Sequence, residues 1–188
     1  MLIVGLLWAG AVWADDDEDF ARVPQTGQTI PYDTNVPPRD DGALQKGVES
    51  PTPRFTIRRG TVKDNLTGLI WLRDASCLGP TNWQGALNNV KALNDGTIVN
   101  NCGDTSKDGK HQTDWRLPNR NELTSLLDLG TFIPALPSGH PFTNFQPDFY
   151  WSSTTFANGT FDAWFVNFFG GGGKGNGGNF VLAVRGGS

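Results

Sequence analysis

The chain has 188 residues, 37% of them hydrophobic, with seven Trp and twelve Phe. That is enough for one domain with an aromatic core, and it excludes a disordered chain. Twenty-four Gly and twelve Pro argue for a loop-rich fold over a helical bundle, and a net charge of −4 argues against nucleic acid as a partner.

Residues 1–14, "MLIVGLLWAGAVWA", form an apolar run that stops at "DDDED". The run is shorter than the ~20 apolar residues of a membrane-spanning helix. Val12 and Ala14 make a small-residue cleavage pattern, so the run reads as a signal peptide cut after Ala14. A buried N-terminal strand is the alternative. No Cys follows the run, so a lipid anchor is not expected. The expectation is a secreted or cell-surface protein that meets the membrane only through export. Residues 15–53 are polar and rich in Pro, Gly and Asp, with no sustained period, and read as an extended arm.

The domain is expected over 54–188. "GTVKDNLTGLIWLRD" holds two short strands, Thr61–Lys63 and Leu69–Leu72, around the turn "DNLTG". Cys77 and Cys102 are an even pair in a chain expected to be exported, which favours a disulfide over two buried thiols. Thr81 and Gln84 suggest a capping box. Trp83, Ala86, Leu87, Val90 and Leu93 then follow helical spacing. "DWRLPNRNELTSLLDLG" repeats the pattern, with Asn119 as N-cap, Glu122 as its box partner, Leu123, Leu126 and Leu127 inward, and Gly130 as the stop. Trp115 and Leu117 are expected to be buried, and Arg116 to pair with Glu122. "FYWSSTT", "AWFVNF" and "NFVLAVR" read as antiparallel strands. In the second, alternation puts Trp164, Val166 and Phe168 on a core face and Phe165, Asn167 and Phe169 on the other.

Motifs for chemistry are sparse. "GGGGKG" fails the phosphate-loop pattern, because Phe168 stands at the first Gly position and Gly175 follows Lys174. "DTSKDG", Asp104 to Gly109, resembles the start of a calcium loop, but Trp115 stands where the twelfth-position Glu belongs. A looser calcium site at Asp104–Asp108 and a plain solvated loop both remain open. His111 and His140 are isolated, so no zinc site is expected, and no catalytic triad is legible. No cofactor is expected.

"DNLTGLIWLRDASC", "DWRLPNRNEL", "FYWSSTT" and "VRGG", in this order, resemble the Lcl C-terminal-like family, named after the C-terminus of a collagen-like bacterial adhesin. The resemblance implies an α+β, C-type lectin-like fold, with two helices on small antiparallel sheets and long loops. It also implies an exported binding protein, not an enzyme, and supports the pairing of Cys77 with Cys102. Formylglycine-generating oxidases share the broad fold, but their chemistry needs reactive cysteines.

Members of this family serve as variable proteins of diversity-generating retroelements. There a reverse transcriptase miscopies adenines, and the copy replaces the 3′ end of the target gene. Asn codons then become Asp, Gly or Phe codons, among others. From Phe156 onward the sequence is dominated by those four residue types, which interrupt a frame "WSSTT-A--T--AW-V-F", then Lys174 and "AVRGG". The resemblance therefore implies a variable, ligand-binding region over 156–180. In its first part the gaps hold Phe156, Asn158, Gly159, Phe161, Asp162, Phe165, Asn167 and Phe169. In its second part they hold Gly170, Gly172, Gly175, Asn176, Gly177, Gly178 and Asn179. The partner would be an unknown protein or glycan on a cell or virus surface. A Gly/Phe-rich loop fixed by descent is the alternative. A second function is a non-diversified adhesin binding glycans, for which Arg54, Arg58, Arg59 and Lys63 would supply charge.

Overall fold

The computed structural model describes residues 23–98, 102, 111–157, 159–169 and 178–186, and at 160–162 the backbone alone. Residues 1–14, expected to be a signal peptide, and the loop Asp104–Asp108 lie outside these residues. The fold is α+β, with two four-stranded sheets and three short helices among the described residues.

The first sheet is antiparallel throughout. It joins β1 (Phe55–Arg58), β2 (Thr61–Asp64), β3 (Ile70–Leu72) and β8 (Val184–Arg185), in the order β1-β2-β3-β8. β2 and β3 match the strands expected at Thr61–Lys63 and Leu69–Leu72, β8 lies at the end of the expected strand "NFVLAVR", and β1 was not expected. β1 pairs with β2 from Phe55↔Asp64 to Arg58↔Thr61. Asp64 is fully buried at the end of β2. Arg54 makes it tolerable: Nε donates to Oδ1 at 2.7 Å and an Nη to Oδ2 at 2.9 Å. The Leu66 N–H and the Thr67 hydroxyl complete the shell at 2.9 Å each. Arg54 also donates to the Ser125 carbonyl at 2.8 Å, so one ion pair ties the start of the domain to the turn after the second core helix. A buried carboxylate is stable only when paired and hydrogen-bonded in this way.

The second sheet joins β4 (Pro80–Thr81), β5 (Phe149–Phe156), β6 (Gly159–Asn167) and β7 (Asn179–Phe180), in the order β4-β7-β5-β6. β5 and β7 run parallel, at Tyr150↔Phe180, which corrects the all-antiparallel expectation. "NFVLAVR" is not one strand. Asn179–Phe180 belongs to the second sheet and Val184–Arg185 to the first, with Val181, Leu182 and Ala183 buried between them. The segment crosses from one sheet to the other, which explains why its apolar run is continuous instead of alternating.

α1 (Asp41–Leu44) is a single turn in the arm, α2 spans Trp83–Asn94 and α3 spans Arg120–Thr124. The N-cap of α2 is Asn82, whose side chain accepts from Gly85 N, not Thr81. Thr81 instead pairs with Asn179 in the second sheet. Ala86, Val90 and Leu93 are buried as the spacing predicts, with Trp83 and Leu87 at the rim. Asn119 and Glu122 form the expected reciprocal box at α3. The helix ends at Thr124, capped by Ser125, well before Gly130. Gly130 has a different role: a Cβ there would lie 2.4 Å from the Gly27 carbonyl oxygen, where the arm crosses.

The arm is more ordered than its composition suggests. Asp40 caps α1 and its carboxylate also accepts from Tyr32 N and Asp33 N. Leu129 N donates to the Thr26 carbonyl at 2.7 Å, which holds the arm on the domain. The core lies between the two sheets and under α2 and α3. Trp71, Leu72, Leu123, Leu126, Tyr150, Phe168 and Leu182 are fully buried there. Trp115 and Leu117 are buried as expected, with the Asn94 side chain bonded to both backbone groups of Trp115. Cys77 and Cys102 form a disulfide with Cα atoms 5.5 Å apart. In the chain-entropy view such a closure contributes about 3 kcal/mol.

Candidate ligand-binding face

The β5–β6 hairpin carries most of the candidate residues the structure describes. Its regular part pairs Phe149↔Asn167, Tyr150↔Val166 and Trp151↔Phe165. Alternation puts Tyr150 and Val166 inside, both buried, and Phe168 follows in the same phase. Phe149, Trp151, Phe165 and Asn167 take the outer side. Phe165 is 46% exposed and Phe169 41% exposed, while Val166 is 6% exposed and Phe168 is fully buried. The separation of frame from gap residues expected for 165–169 is therefore present in the structure.

The outer side has a fixed floor. The Trp151 indole donates to the Thr81 carbonyl at 2.7 Å, which anchors it across the sheet. Phe165 sits edge-on to Phe149, with ring centroids 4.9 Å apart, and to Trp151 at 6.1 Å. It is accessible yet supported, with an aromatic face available to a ligand. The Asn167 side-chain carbonyl accepts from Phe169 N at 2.8 Å, a turn that Asp would also make.

Beyond Trp151 the register slips. Thr155 opposes Ala163, so residues 152–154 of β5 face Trp164 alone. Ser152 is fully buried inside this bulge, where its hydroxyl donates to the Trp164 carbonyl at 2.6 Å and accepts from Thr154 N at 3.2 Å. Trp164 is consequently not core. It is half-buried, stacked on Phe156 with centroids 4.2 Å apart, and the Arg120 guanidinium lies 4.4 Å from its ring. Phe156 is 39% exposed. Neighbours Trp164 and Phe165 point to opposite sides of β6, so Phe156 does not share the surface that holds Phe165.

The end of the region is constrained. Gly178 meets the backbone of Thr81, where a Cβ would lie 2.4 Å from the carbonyl carbon. That is too close without moving β4, so Gly178 is held as Gly by the fold. Asn179 is half-buried and paired with Thr81. Gly159 pairs with Phe156 at the hairpin end. Asn158, Gly170, Gly172, Gly175, Asn176 and Gly177 lie outside the described residues, as do the side chains of Phe161 and Asp162.

Sequence reasoning missed Arg120, Phe149 and Trp151. Arg120 follows the N-cap in "PNRNEL", and the two aromatics lie in "FYWSSTT"; only pairing with β6 gives them a role. The expected Arg116–Glu122 pair is present and bidentate, at 2.7 and 2.6 Å, and Arg116 also donates to the Gly186 carbonyl at 2.8 Å. Burial pushes the Glu122 carboxyl up, but hydrogen bonds from Arg116 and from Asn119 N outweigh it and hold its pKa below the usual value. The same bond raises that of Arg116. This pair fixes the turn that presents Arg120. The basic cluster considered for glycans is depleted, because Arg54 is committed to Asp64.

Among the described residues no group of three or more His, Cys, Asp or Glu is placed to hold a metal ion. No helix among them is long and apolar enough to cross a membrane.

Fold and face define a small, disulfide-bonded α+β domain with an aromatic outer sheet surface. The chain belongs to the Lcl C-terminal domain family, which matches residues 60–185. The match takes in β2 to β8 and both faces of the β5–β6 hairpin. No curated protein and no solved structure matches the chain.

Proposed function

We propose that this is an exported ligand-binding protein whose C-terminal face is diversified by adenine-directed mutagenesis on a fixed scaffold. The observation that carries the reading is the split along β6, where Val166 and Phe168 are buried and Phe165 and Phe169 are exposed. A side chain that supports no core is free to change, and a rigid sheet beneath it keeps each variant in place. The ligand is a protein or a glycan on a cell or virus surface. The protein is a binder and not an enzyme, secreted or held at the cell surface. Membership of the Lcl C-terminal domain family and the Cys77–Cys102 disulfide support export.

Sequencing the 3′ end of the gene and its surroundings tests this. The expected result is a nearby near-repeat differing mainly at adenines, with differences among clones confined to gap codons such as those of Phe165 and Phe169. An invariant 3′ end with no near-repeat would overturn diversification and leave a fixed adhesin.

A further inference from the structure

Arg54, Arg116 and Arg185 each meet a carboxylate, on Asp64, Glu122 and Asp114. The guanidinium of Arg120 meets none among the described residues. Its position is nevertheless built. The Asn119–Glu122 box fixes the backbone on one side, and Arg120 N donates to the Thr154 hydroxyl at 3.0 Å on the other. The guanidinium then packs on the Trp164 ring at 4.4 Å, and Phe156 stacks on the same indole at 4.2 Å. A guanidinium held on an aromatic ring keeps its charge and its in-plane N–H donors, and less freedom is lost when an anion binds.

We propose that Arg120, Trp164 and Phe156 form a second subsite, on the opposite side of β6 from Phe165, that takes a carboxylate carried on a flat apolar group. Arg120 supplies the paired N–H donors that match a carboxylate. Phe156, stacked on the same indole, supplies exposed ring surface. Arg120 lies outside the gap positions, so the cation would be a constant anchor and Phe156 the part that varies. The inference rests on the reading of this protein as a ligand binder and names a chemistry that one part of its surface recognises.

Benzoate is the probe and benzamide its neutral isostere. The full chain is followed by NMR at the Arg120 Nε–H and Trp164 Nε1–H resonances. Benzoate should move both saturably, and benzamide should bind at least roughly tenfold more weakly, the scale of one charge-assisted hydrogen bond. Arg120→Gln should abolish the benzoate response with no change in melting temperature beyond a few degrees. Arg120→Lys should retain only part of it, because an ammonium lacks the planar pair of donors. Phe156→Asn should weaken benzoate more than it weakens acetate. Equal shifts from benzoate and benzamide, or an unchanged benzoate response in Arg120→Gln, would overturn the subsite. Neither result bears on whether gap codons vary in the gene, so failure here and failure of the diversified face are told apart.

Discussion

The two sheets use their side chains in opposite ways. In the first, Thr61, Val62 and Asp64 of β2 and Trp71 and Leu72 of β3 are all buried, so its inner strands have little surface to spare. In the second, β6 alternates between buried Val166 and exposed Phe165 under the floor set by Phe149 and Trp151. The difference separates stability from recognition. Changes in the first sheet remove paired charge or packed volume. Changes on the outer side of the second remove contacts that water replaces.

Substitutions that cross this division should differ in size. Asp64→Ala strands Arg54 in a nearly closed site and should cost about 3–5 kcal/mol, read by chemical denaturation. A cost below about 1 kcal/mol, the scale of a surface pair, would mean that the ion pair does not hold the first sheet to the turn after α3. Val166→Ser removes buried apolar area and inserts a hydroxyl, at about 2–4 kcal/mol. Gly178→Ala forces a Cβ against Thr81 and should cost about 1–3 kcal/mol, although the position lies within the region expected to vary. If Gly178→Ala melts with the wild type, β4 is free to shift and the region extends further than the fold suggests. Phe165→Ser should cost only about 0.5–1.5 kcal/mol, the scale of its edge contacts with Phe149 and Trp151. Equal losses at 165 and 166 would place Phe165 in the core.

The smallest effect is a pH dependence. The Glu122 carboxyl is held below its ordinary value of 4.5, so its contribution is present above that pH and is lost as pH falls through the depressed value. Wild type and Glu122→Gln should therefore differ in stability near neutral pH and converge on acidification below about 4.5. A difference that stays constant into acid would show that Glu122 gains nothing from its charge.

Local signals in the sequence were read well. The Asn119–Glu122 box, the buried stripe of α2 and the phase of 165–169 each depend on residues a few positions apart. Long-range signals were not. Thr81 looked like a helix cap because the strand that claims it, at Asn179, lies far along the chain, while Asn82 beside it does the capping. Asp64 gave no sign of burial, since its partner Arg54 stands ten residues earlier across a strand pair. Trp164 fits the core phase of β6, and only the slip after Trp151, set by buried Ser152, turns it toward Arg120 and Phe156. The single strand expected over "NFVLAVR" failed for a related reason: a continuous apolar run does not reveal which sheet each end joins.

The central claim, that the outer side of β6 changes without loss of the fold, is tested most directly by two matched display libraries. One substitutes Asn, Asp, Gly, Phe, Ser and Tyr at 165 and 169, and the other substitutes the same residues at 166 and 168. Protease resistance of displayed clones reads the population that opens. The account predicts that most clones of the first library resist like the parent, and that the second is depleted to the few that keep Phe168 with an apolar residue at 166. Equal depletion of both libraries would contradict it.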